Sequence, residues 1–61
     1  MYPFAIRGPN DTLAILTAQQ FEVVRFIIVD FDNKRITREQ AEAMITSKLK
    51  AASLPLVFKE I

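Results

Sequence analysis

Thr17-Ala18-Gln19-Gln20-Phe21-Glu22-Val23-Val24-Arg25-Phe26-Ile27-Ile28-Val29-Asp30-Phe31-Asp32 is the stretch on which the fold turns. Thr17 and Gln20 stand at the Ncap and N3 spacing of a capping box, which opens a helix at Ala18. On a wheel of about 100° per residue, Phe21, Val23, Val24, Ile27, Ile28 and Phe31 form one broad apolar arc, broken only by Gln20. Gln19, Glu22, Arg25, Asp30 and Asp32 form the other side. The competing reading is a strand, because Val23, Val24, Ile27, Ile28 and Val29 are all β-branched. A period of two serves the residues poorly, however. It sets Arg25 among the apolar set and puts Val24, Phe26 and Ile28 on one face with Glu22 and Asp30. The helical sorting is cleaner, so residues 18 to 32 are expected to be a helix.

Downstream, Asp32-Asn33-Lys34-Arg35 reads as a helix exit, with Asn33 suited to the left-handed C′ position. Thr37 and Gln40 repeat the capping spacing, and Ile36 is placed as a staple residue opposite Ala41. A second helix is expected from Arg38 to about Ala52. Its apolar arc is Ala41, Met44, Ile45, Leu49, Ala51 and Ala52, with Lys48 inside the arc and Glu39, Glu42, Thr46 and Lys50 outside it. Ser53-Leu54-Pro55 closes it, since the residue before proline is pushed out of the helical region. Upstream, Tyr2, Phe4 and Ile6 alternate with smaller or polar residues as in a half-buried strand. Gly8-Pro9-Asn10-Asp11 is a turn, and Thr12 to Leu16 resumes an apolar run, which together read as a β-hairpin. Leu56, Val57 and Phe58 predict a last short strand. The order is ββααβ: an α+β fold, one domain over residues 1–61, with two helices covering one face of a small sheet.

With 61 residues, 51% of them hydrophobic, the chain removes only about 60% of its unfolded surface from water. Neither cysteine nor histidine is present, so disulfides and the usual zinc or haem ligands cannot reinforce it. Dense apolar packing or self-association must do so. The missing histidine also removes the commonest general base. Eight basic residues against seven acidic ones give a net charge of +1, too balanced for attachment to DNA through phosphate neutralisation alone. The charge is polarised all the same. Arg7 and Arg25 face Asp11, Glu22, Asp30 and Asp32 in the first part of the chain, whereas Lys34, Arg35, Arg38, Lys48, Lys50 and Lys59 outweigh Glu39, Glu42 and Glu60 in the second. No apolar run approaches the length of a membrane span, and the first residues lack a basic start and long apolar stretch. A cytoplasmic protein is expected.

Catalytic and metal chemistry finds little support. Asp30-Phe31-Asp32-Asn33 has the acidic spacing that opens an EF-hand loop, but Arg35 then stands where glycine is needed and Ala41 where a bidentate glutamate is needed. Tautomerases of this size use an N-terminal proline amine; here Pro3 follows Met1 and Tyr2, so its nitrogen is an amide. Ser47, Ser53 and Lys48 have no base or glycine-rich loop near them in sequence, and Gly8 is the only glycine. A non-enzymatic protein without cofactor or metal is the expectation.

Two binding readings remain. A strand followed by two capped helices resembles the architecture of ribbon-helix-helix repressors, dimers that lay paired strands in the major groove. That alternative is a dimeric DNA-binding regulator using Arg35, Arg38, Lys48 and Lys50, yet the first strand offers only Ala5 and Arg7 to base edges. The favoured reading is a small interaction module, regulator or inhibitor that pairs with itself or with a protein partner. Its signal lies on the first helix. Phe26 and Val29 fall opposite the core arc, an i, i+3 apolar pair among charges. They predict an interface centred on Phe26, with Val29 beside it and Arg25 and Glu22 at its rim. The competing outcome is that a longer sheet or the C-terminal residues cover this face within one chain. Lys48 is expected to lay its methylene stem along the core edge with its ammonium in water, or to mark a contact for an acidic group.

Overall fold

The computed structural model describes residues 4–60. Strand β1 (Ala5–Arg7) and strand β2 (Thr12–Ile15) pair antiparallel, Ala5 opposite Ile15 and Arg7 opposite Leu13. The turn between them has positive φ at both Asn10 and Asp11, closed by the Thr12 N–H donating to the Pro9 carbonyl at 3.1 Å. Asn and Asp tolerate that left-handed backbone better than other side chains, and its sense of twist suits a tight hairpin. Gly8 leaves room beside it for Thr12 Oγ1 and the Phe58 ring, which a Cβ there would displace. The strand signal at Tyr2 and the proline at position 3 lie outside the described residues.

Helix α1 (Ala18–Asp32) and helix α2 (Arg38–Ala51) each open on a complete capping box, Thr17 with Gln20 and Thr37 with Gln40. Both close on a Schellman motif. In α1 the Lys34 and Arg35 N–H groups donate to Phe31 and Asp30; in α2 those of Ser53 and Leu54 donate to Lys50 and Leu49. The left-handed residue ending α1 is Lys34, at φ 59°, rather than Asn33. Asn33 still donates its backbone N–H and its side-chain Nδ2 to the Val29 carbonyl, so the helix holds it and the reversal falls one residue later.

The helices pack on each other and on one face of a three-stranded sheet of order β1-β2-β3. Strand β3 is Lys59–Glu60, paired antiparallel with Leu13 and Thr12, and not Leu56 to Phe58 as the apolar run predicts. The carbonyls of Leu54 and Pro55 are held by the Gln20 amide at 3.4 and 3.3 Å, which keeps this segment beside α1 and delays its entry into the sheet. The core is Phe4 and Ile6 from the first strand region, Ala14 and Leu16 from the second, Val24 and Ile28 from α1, and Ala41, Ile45 and Leu49 from α2. Phe21, Val23, Ile27 and Phe31 close its edges, as the α1 arc requires.

Candidate functional site

The α2 arc is narrower than the wheel implies, and turned. Ala41, Ile45 and Leu49 are fully buried, while Met44, Lys48, Ala51 and Ala52 are exposed. The cause lies on the side of the helix that carries Arg38 and Glu42. Arg38 donates to the Ala5 carbonyl at 2.7 Å, Glu42 accepts from the Arg7 N–H at 2.9 Å, and the two side chains pair at 3.5 Å. The Arg38 guanidinium also lies 5.0 Å above the Phe4 ring, which meets Phe31 edge-on at 5.4 Å. These contacts draw α2 toward the outer edge of β1 and roll Met44 and Lys48 away from the core.

The result is an open groove between the helices. Val23, Phe26 and Ile27 form its α1 wall, and Met44, Lys48 and Ala51 its α2 wall, with Ala43 and Ser47 alongside. Its volume is about 600 Å³. Phe26 is 70% exposed and Val29 50%, so neither the sheet nor the C-terminal segment covers this face. Phe26 and Lys48, which the sequence reading assigns to different roles, line the same groove. Glu22 and Arg25 sit on the outer strip of α1, joined by a loose ion pair of 3.9 Å, with the Arg25 guanidinium 5.2 Å from the Phe26 ring centre. Val29 does not line the groove.

The four basic residues of the DNA-binding alternative are dispersed. Arg35 pairs with Asp30 at 3.3 Å, and Arg38 is committed to β1 and the aromatic pair. Lys48 borders the interhelical groove, whereas Lys50 borders a different depression with Arg7, Pro9 and Phe58. The outer edge of β1, through which a strand of another chain would pair, is occupied by Arg38 and Glu42.

One surface escapes the sequence reading. Leu13, Ile15 and Val57 line a third open depression on the sheet side, and Ile15 and Val57 are exposed. The signal was the unbroken run Leu13-Ala14-Ile15-Leu16: when Ala14 and Leu16 face inward, Leu13 and Ile15 must face out, and such runs mark sheets apolar on both faces. Among the described residues no group of His, Cys, Asp or Glu is placed to hold a metal ion, and no helix is long and apolar enough to cross a membrane. Compared with protein-family models, curated proteins and solved structures, the chain matches none.

Proposed function

We propose that this chain is a small non-enzymatic interaction module, a regulator or inhibitor that works through the apolar face shared by α1 and α2. The observation that carries the reading is the exposed Phe26 ring standing at an apolar groove that the other described residues leave open. Covering a phenylalanine contributes about 1.5–3 kcal/mol, a large share of the net stability of a domain this small. Aromatic anchors beside a ready pocket are the residues that dominate protein interfaces. The DNA-binding alternative draws less support, since Arg35 and Arg38 are engaged within the fold and Lys48 and Lys50 lie on separate surfaces.

A photo-reactive benzoylphenylalanine in place of Phe26 tests the proposal in cells producing the full chain. Discrete cross-linked species are expected on irradiation, and Ala43→Glu, which puts a charge into the groove, should abolish them. A pattern no different from that given by the same cross-linker at exposed Glu39 would sink the reading.

A further inference from the structure

Resting on that reading, we infer that the partner seated on the Phe26 groove is a second copy of this chain, related by a two-fold axis that lies in the helical face and runs along the groove between α1 and α2. A two-fold interface must be its own complement, because each patch meets itself reversed. This face carries both halves of two complementary pairs. The projecting half of the first is Phe26, and its receiving half is the low ledge of Ala43, Ser47 and Ala51, small side chains one turn apart along the α2 side. The second pair is electrostatic. Glu22 lies one turn before Phe26 on α1, held only by a 3.9 Å contact to Arg25, and Lys48 across the groove enters no ion pair among the described residues. Rotation of one copy onto the other brings Phe26 to the partner's ledge and Glu22 to the partner's Lys48, twice over. Among the described residues the sheet-side depression has no comparable projecting ring.

The size of the face decides which class of interface it can form. Helix α1 is about 22 Å long and two helices side by side are about 20 Å across, so each copy contributes on the order of 500 Å². That is the low end for specific interfaces, and it fits a reversible dimer with a dissociation constant in the micromolar range.

Sedimentation of the full chain from about 1 μM to 1 mM, at low and high salt, measures it. Wild type should dimerise across that range, and Phe26→Ser should remain folded by circular dichroism while dimerising at least about 30-fold more weakly. Glu22→Lys and Lys48→Glu should each weaken the dimer, since each sets like charges together. Mixing those two variants should restore association. One copy then carries a positive charge at both positions and the other a negative charge at both, so each of the two cross-copy contacts is attractive. A wild type monomeric at 1 mM overturns the inference, as does a dimer indifferent to all three variants, which would place pairing on the sheet face around Ile15. Failure of the mixture to recover overturns the two-fold arrangement. If the wild type is monomeric yet the residue-26 cross-linker gives a discrete adduct whose mass is not that of two chains, self-pairing fails while the interaction reading stands.

Discussion

Helices α1 and α2 are built from the same parts and put to opposite uses. Each starts on a threonine–glutamine box, ends on a Schellman motif with a non-glycine residue in the left-handed position, and buries a row of three residues spaced by four: Gln20, Val24 and Ile28 in one, Ala41, Ile45 and Leu49 in the other. They part company outside those rows. Helix α2 spends its flanking charges on the backbone of β1, whereas α1 leaves Phe26 and Val29 with nothing over them. Local sequence therefore makes the two helices alike, and what each one meets in the fold makes them different. Alike in caps and core row, one is a fastening and the other a surface.

The strongest way to break this contrast is to truncate one residue of each kind. Leu49→Ala, in the fully buried row, should cost about 2–5 kcal/mol, enough to abolish a cooperative urea transition in so small a chain. Phe26→Ala should shift the monomer's transition by less than about 0.5 kcal/mol, because its ring is already in water. Comparable losses from both would mean that Phe26 is core, and the division between the helices would collapse.

A smaller effect separates the two boxes. Gln20 is 8% exposed and its amide reaches past the Thr17 N–H to the Leu54 and Pro55 carbonyls, while Gln40 is exposed and among the described residues bonds only its own cap. Gln20→Leu should therefore cost about 1–2 kcal/mol and release the segment after α2, seen as faster amide exchange at Lys59 and Glu60. Gln40→Leu should cost about half a kcal/mol. Equal costs would show that the C-terminal segment is held by something other than Gln20. The fastening itself responds to Arg38→Ala, which should cost about 1 kcal/mol and speed exchange at the Arg7 amide. Smallest of all, Lys34→Gly and Ser53→Gly should each raise stability by about 0.5–1 kcal/mol, as glycine takes up positive φ without strain. A gain at one and a loss at the other would reveal a side-chain role that the shared helix ending conceals.

Much of this was legible in the sequence where the controlling contacts are local. Thr17 with Gln20 and Thr37 with Gln40 act within one turn, and they outweighed the β-branched run at Val23 to Val29 in making α1 helical. The place of Phe26 opposite the core arc followed from the wheel, while its 70% exposure, against the competing outcome of a covered face, comes from the fold. What stayed hidden depends on partners more than thirty residues away. The Arg38–Glu42 contacts to Ala5 and Arg7 rolled Met44 away from the core, and the Gln20 contacts to Leu54 and Pro55 displaced the last strand from Leu56–Phe58 to Lys59–Glu60. The meeting of Phe26 and Lys48 in one groove is a product of that roll, so no wheel of either helix on its own contains it.

The hold of Arg38 and Glu42 on β1 also bears on what happens before the fold is complete. An open strand edge is a template onto which a foreign strand can add, and β1 has such an edge until α2 arrives. The hairpin forms from neighbours in the chain, within microseconds, whereas its cover comes from residues 33 and 35 positions downstream. During that interval, and whenever α2 loosens, the Ala5 carbonyl and the Arg7 amide are free to recruit another chain. Loss of Arg38 or Glu42 would thus be felt less in the melting temperature of the finished molecule than in how many chains reach it without aggregating.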